Sequence, residues 1–177
     1  MNPLRVSRRM SVEYQLMAET TLTPSRLWKR MTSEQRQRAA HAFWSDPEAT
    51  DDQVQAAFLI AQQKKFRPKT VIGLDVDRKA KHLATVAGLP DQLAARALIT
   101  YHLAEQRPMM GAFLDALGIA HENGLIQEDN VKPDATKIAA AVEKISAEFP
   151  KQDVRIYLDT LLCQDPETWG GLQDLGI

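Results

Sequence analysis

Cysteine is almost absent from this chain, and its scarcity limits the chemistry that the chain can carry. Cys163 is the only cysteine among 177 residues, so no disulfide can form within the chain and no cluster of thiolates can bind a metal. No apolar run approaches the length of about 20 residues that spans a membrane. A lone thiol fits a reducing compartment, and we expect a soluble, cytoplasmic protein that makes no contact with membranes.

Several motifs that signal enzymes are also missing. Gly73 stands alone rather than in a glycine-rich phosphate loop, and no Gly-Lys-Ser or Gly-Lys-Thr occurs. The Gly-x-Ser-x-Gly elbow of many hydrolases is absent as well. The sequence therefore predicts no cofactor and no metal site, and it favours a non-enzymatic protein.

What the chain does have is proline at regular intervals. Its nine prolines lie 16 to 25 residues apart, and most intervals hold one run of apolar residues at helical spacing. Because proline is tolerated in the first turn of a helix and excluded from its interior, this spacing predicts a series of short helices. We predict an all-α fold, a compact irregular bundle of about seven or eight short helices. We expect no paired strands and only one short extended piece, at Val71 and Ile72.

Capping signals and apolar periodicity also predict the domain organisation. Residues 32–35 and 50–53 each match the capping box Thr-x-x-Gln that begins a helix. Residues 91–104 are apolar nearly all round, which predicts the central helix. The basic residues 1–22 are predicted to be a tail or a loosely docked helix, and residues 23–177 a single all-α domain.

Charge is distributed unevenly along the chain. Residues 1–81 carry 15 Lys and Arg against 9 Asp and Glu, whereas residues 82–177 carry 7 against 14. Such polarity attracts an acidic partner to one side or favours head-to-tail self-association, unless the halves fold against each other and cancel it. The basic run Lys64–Lys69 surrounds Phe66 and suits phosphates or an acidic protein surface; a solvated helix end is the simpler interpretation.

Residues 79–98 have the pattern of a helix–turn–helix. Ala84 precedes the turn residue Gly88 by four positions and a second apolar helix follows, as the DNA-binding motif requires. Lys79 and Lys81 are placed to contact phosphate. The second helix offers few side chains that read base edges, so DNA binding is an alternative prediction.

Residues 101–122 contain the candidates for an acid–base or metal site. His121 and Glu122 lie on a predicted loop whose two flanking glycines each suit a left-handed helix C-cap. Asp115 precedes this loop, and His102 on the preceding helix is a further candidate for the same space. His121-Glu122 lacks the second histidine of the zinc motif His-Glu-x-x-His. A purely structural role in a tight connection between helices also explains these residues.

These observations lead to an ordered set of hypotheses. The first is a non-enzymatic protein-interaction or ligand-binding module whose partner is a protein, either a second copy of the chain or a different one. The alternatives are a helix–turn–helix protein that binds nucleic acid through residues 79–98, and an enzyme or metal protein with its site in residues 101–122. Whether His102, Asp115 and His121 converge on one cavity separates the last from the first.

Overall fold

Ten short α-helices follow one another in residues 22–175, the part of the chain described by a computed structural model. They are α1 (Pro24–Arg30), α2 (Ser33–Ser45), α3 (Thr50–Lys64), α4 (Pro68–Ile72), α5 (Val76–Ala84), α6 (Asp91–Glu105), α7 (Arg107–Leu117), α8 (Ala135–Glu148), α9 (Lys151–Gln164) and α10 (Pro166–Trp169). Short 3-10 helices cover Pro47–Ala49 and Gly170–Leu175. The all-α prediction is confirmed. The segment predicted as a tail, residues 1–22, lies outside the described residues apart from Leu22.

The helix count exceeds the predicted seven or eight because two very short helices, α4 and α10, add to it. Residues Val71 and Ile72 belong to α4, so the extended piece predicted there is wrong. Pro68 at the first helical position starts that helix, and the buried side chain of Val71 holds it to the core. No helix within residues 22–175 is both long enough and apolar enough to cross a membrane.

One of the two predicted capping boxes is present. Thr32 accepts from the backbone N–H of Gln35, whose side chain accepts in turn from the N–H of Thr32 at 3.0 Å. The box predicted at Thr50 is wrong, because a 3-10 turn leads directly into α3 and Thr50 is already helical. Gln53 instead donates to the carbonyl oxygen of Phe43 at 2.8 Å. This bond ties the start of α3 to the end of α2.

A small antiparallel hairpin interrupts the series of helices. Its strands, β1 (His121–Glu122) and β2 (Leu125–Ile126), are joined by Asn123 and Gly124 with φ of 50° and 84°. Positive φ at both central residues is the signature of the two-residue turn that suits strand twist. The expectation of no paired strands is therefore wrong, and so is the helix C-cap predicted at Gly124. The companion glycine, Gly118, does cap α7 with φ of 71°.

The buried apolar side chains form two clusters. The first is built mainly by α1 to α6 and includes Leu27, Phe43 and Ile60; the second is built mainly by α7 to α10 and includes Phe113 and Trp169. Helix α6 packs against α1, α2, α3 and α7. The prediction that residues 91–104 form the central helix is confirmed.

A buried polar network connects the two clusters through Asp153 on α9. Its Oδ1 accepts from Gln35 Nε2 at 2.8 Å and from the Tyr101 hydroxyl at 3.2 Å. Burial raises the pKa of Tyr101 to about 12, which keeps the hydroxyl protonated as a donor. Arg38 on α2 adds an ion pair to the same oxygen at 3.7 Å. Part of the charge difference between the halves is cancelled here.

Candidate functional site

His121 is held by two hydrogen bonds at the start of the hairpin. Its Nδ1 accepts the backbone N–H of Gly124 at 3.1 Å. The proton of the neutral ring therefore lies on Nε2, which donates to Asp115 Oδ1 at 3.0 Å. The His121 side chain is 14% exposed, whereas that of Asp115 is 72% exposed. With both ring nitrogens engaged, the imidazole braces the hairpin against the C-terminal end of α7.

Glycine allows the hairpin to sit close to α7. A Cβ at Gly111 would lie 3.3 Å from Cε1 of His121, and a Cβ at Gly124 would lie 2.8 Å from Cβ of Met110. Arg107 at the start of α7 donates to a carbonyl oxygen of the hairpin turn at 3.1 Å. Steric fit and hydrogen bonds thus fix the hairpin on one side of α7.

The other two predicted site residues do not contact this pair through their side chains. Glu122 is exposed on β1, and within residues 22–175 its carboxylate has neither a hydrogen-bond nor an ion-pair partner. His102 is buried on α6, where its ring bonds Thr160 on α9. Of the four predicted site residues, the structure therefore brings only the side chains of Asp115 and His121 into contact. No three His, Cys, Asp or Glu side chains in the described part of the chain are arranged to hold a metal.

His102 has a defined protonation state. The Thr160 hydroxyl donates to the carbonyl oxygen of Ile156 at 2.6 Å, so it accepts from His102 Nε2 at 3.0 Å. This leaves the proton on Nε2, and the buried Nδ1 has no hydrogen-bond partner. Burial lowers the pKa of His102 to about 4, against a smaller opposing effect of the Asp153 charge. The ring is neutral at physiological pH.

An apolar groove lies between the hairpin and helices α6, α7 and α9. Its volume is about 230 Å³. His102 and Thr160 contribute polar atoms that bond each other, and Tyr157 and Gln164 also line the groove. Leu125 and Ile126 of β2 are 40% and 38% exposed at its edge. We call this the hairpin groove; its apolar lining is Ile99, Leu103, Met110, Leu114, Leu125, Ile126 and Leu161.

Acidic side chains accompany the hairpin groove. Glu122 is the cross-strand neighbour of Leu125, and Glu128 and Asp129 follow Ile126 closely in the chain. All three acids are exposed, and none forms an ion pair with another described residue. The hairpin and the residues that follow it thus combine exposed apolar side chains with acids that form no ion pair.

A second exposed apolar surface lies on α3, α4 and the segment between them. Phe58 is 57% exposed and Val54, one turn earlier, is 43% exposed. Phe66 contacts the ring of His82 edge-on at 5.6 Å. We call this the basic–apolar surface and define it by Val54, Phe58, Phe66 and Ile72 with the exposed cations Lys64, Lys65, Arg67 and Lys69. Within residues 22–175 these four cations have no ion-pair partner.

A larger cleft of about 470 Å³ lies between α2 and α6. Most of its charged residues bond their own chain: Arg96 pairs with Asp46 at 3.1 Å, and Glu105 accepts from Arg38 at 3.1 Å, whereas the Glu48 carboxylate has no partner within residues 22–175. Arg107 donates to two backbone carbonyls. Because most of these groups are already engaged, the cleft offers weaker recognition than its size suggests.

The helix–turn–helix pattern corresponds to α5, the turn at Gly88 and α6. The would-be recognition helix is the central one, covered by α1 and α2. Its first turns bond their own chain, since Asp91 accepts the N–H of Ser25 and Gln92 donates to Asp52. This arrangement does not favour insertion of α6 into a DNA groove.

No protein-family model, curated protein or solved structure matches this chain. His121 and Glu122 are identified as candidates from the sequence, whereas Leu125 and Ile126 of the hairpin groove are missed there. The signal that points to them is the Asn123-Gly124 dipeptide, which marks a hairpin turn and brings the residues on either side into pairing.

Proposed function

We propose that this protein is a protein-interaction module that binds a basic, apolar segment of its partner in the hairpin groove. The observation that carries the proposal is the exposed pair Leu125 and Ile126 at the edge of an apolar groove. Large apolar side chains grouped at a concave surface mark interaction sites more often than chance exposure does. The unpaired acids beside them favour a cationic partner.

A protein side chain suits the groove better than a polar metabolite does. Sites for small molecules usually place a few accessible polar groups to fix orientation. Here no Asp, Glu, Lys or Arg side chain of the described residues lines the groove, and two of its polar groups are used internally, because His102 bonds Thr160 and Thr160 bonds Ile156. The Tyr157 hydroxyl and the Gln164 amide remain as uncharged polar groups. The lone Cys163 remains compatible with a reducing, cytoplasmic location.

A peptide titration of the full chain tests this proposal. The probe is a short peptide with blocked ends, Lys-Lys-Phe-Leu-Lys-Lys, and the measurement is the backbone amide shifts of the protein in solution NMR. We expect saturable shifts in β2 and in the parts of α6 and α9 that line the groove. A peptide with serine in place of Phe and Leu controls for charge alone.

Two variants make the test specific. Leu125→Lys places a cation at the groove edge and should weaken the peptide at least about tenfold, since like charges in contact cost several kcal/mol. Ala139→Lys adds the same charge at an exposed site on α8 and should leave binding unchanged. Equal shifts with the serine peptide, or shifts confined to other helices, would overturn the proposal. Salt-sensitive retardation of a DNA duplex would instead favour the helix–turn–helix alternative.

A further inference from the structure

We infer that the partner of the hairpin groove is a second copy of this chain, which inserts Phe58 and contributes its basic–apolar surface. This inference rests on the proposed function. Phe58 is the most exposed of the large apolar side chains in residues 22–175. A cavity of about 150 Å³ admits a benzene ring, so the groove of about 230 Å³ has room for one phenyl group.

Charge complementarity identifies the second copy as the occupant. Phe58 lies on the helix that leads into Lys64, Lys65, Arg67 and Lys69, whereas the groove is accompanied by Glu122, Glu128 and Asp129. Both sets of charges are exposed and lack ion-pair partners within the described residues. The basic–apolar surface is thus positive and the surroundings of the hairpin groove are negative. Both surfaces also carry exposed apolar side chains.

The two surfaces are on different parts of the fold, and this determines the symmetry of assembly. Helix α3 packs against α4, α5 and α6, whereas β1 packs against α7. Contact between two unlike surfaces is heterologous, so one copy leaves a free surface at each end and further copies add head to tail. Such growth gives a ring or a chain, whereas reciprocal insertion between the same two copies would give a closed two-fold dimer.

Sedimentation of the full chain tests the inference. The average mass should rise with protein concentration past that of a dimer or to a closed ring, and it should fall as salt screens the charges. Lys64→Glu with Lys69→Glu disables one surface, and Glu122→Lys with Glu128→Lys disables the other. Each double variant should weaken assembly at least about tenfold. Lys144→Glu and Glu143→Lys on α8 are matched controls that should assemble as the wild type does.

Mixing variants distinguishes head-to-tail contact from other interfaces. Phe58→Ser retains an intact groove and Leu125→Lys retains an intact Phe58, and both substitutions are at exposed positions. Each should be monomeric alone, and an equimolar mixture should form a dimer that grows no further. A wild type that stays monomeric up to about 1 mM at low salt, or a dimer unaffected by both variants, overturns the inference. If the peptide still shifts the groove amides of a monomeric wild type, the proposed function stands and only the second copy is excluded.

Discussion

Gln35 on α2 donates from Nε2 to Oδ1 of Asp153 on α9 at 2.8 Å, joining positions 118 residues apart in the chain. Both residues are buried, with 4% and 9% exposure. The same carboxylate oxygen accepts from Tyr101 on the central helix. This contact places a charged acceptor between the two apolar clusters, and the donors around it depend on that one side chain.

Replacing the acceptor should therefore be costly. Asp153→Ala leaves the Gln35 amide and the Tyr101 hydroxyl without their acceptor, and we expect a loss of about 2–4 kcal/mol in the free energy of unfolding. Urea denaturation measures it. Glu105→Ala removes the more exposed partner of Arg38 and should cost less than about 1 kcal/mol. Equal effects of the two variants would show that the network does not hold the clusters together.

His102 should make stability depend on pH in the acid range. Its pKa is about 4 in the folded chain, whereas the ordinary value of a histidine, taken for the unfolded chain, is 6.5. Between these values the unfolded state binds more protons, so stability is complete above pH 6.5 and falls as pH drops toward 4. The loss is on the order of 3 kcal/mol at 1.36 kcal/mol per pKa unit.

The pH dependence can be assigned with two variants. His102→Gln should flatten the fall in stability over that range, whereas His41→Ala, at a side chain 53% exposed, should retain it. Chemical denaturation at several pH values gives both curves. An unchanged slope in His102→Gln would show that the acid sensitivity comes from other groups.

Alanine substitutions at Gly124 and Gly88 together test how tightly the hairpin turn packs against α7. Both have positive φ, 84° and 67°, so alanine is strained at either position. Only at Gly124 does a Cβ also meet Met110 at 2.8 Å, because nothing lies within 4 Å of the corresponding position at Gly88. We expect Gly88→Ala to cost about 1 kcal/mol and Gly124→Ala about 2–4 kcal/mol. Thermal unfolding checks the order, and similar losses would mean that the hairpin shifts freely on α7.

The bracing role of His121 predicts unequal effects for its two partners. His121→Ala removes the acceptor of the Gly124 N–H and should cost about 1–2 kcal/mol. Asp115→Ala removes a carboxylate that is 72% exposed and should cost less than about 0.5 kcal/mol. Hydrogen exchange at the Gly124 amide should accelerate in the first variant and stay unchanged in the second. Acceleration in both would show that the bond to the exposed Asp115 carboxylate also holds the imidazole in place against Gly124.

The hairpin shows why a local signal is easily overlooked. Asn123-Gly124 is a strong marker of a two-residue turn, but the strands beside it contain only two residues each. Alternation of apolar and polar residues cannot be recognised over so short a run. Both flanking glycines are therefore interpreted as helix caps, which is right for Gly118 and wrong for Gly124. Only packing against α7 reveals that the turn closes a hairpin.

The sequence by itself determined the helical class, the central position of residues 91–104 and several helix starts, including the box at Thr32. These features depend on neighbours within about four residues, because caps, proline and helical periodicity act over one turn. The hairpin groove was decided by tertiary structure alone, since Ile99, Leu125 and Leu161 line it from three separate elements. Tertiary structure also decided that His102 and His121 lie at different places in the fold. Local periodicity shows which face of a helix is apolar. It does not show which element packs against that face, because this depends on contacts between residues distant in sequence.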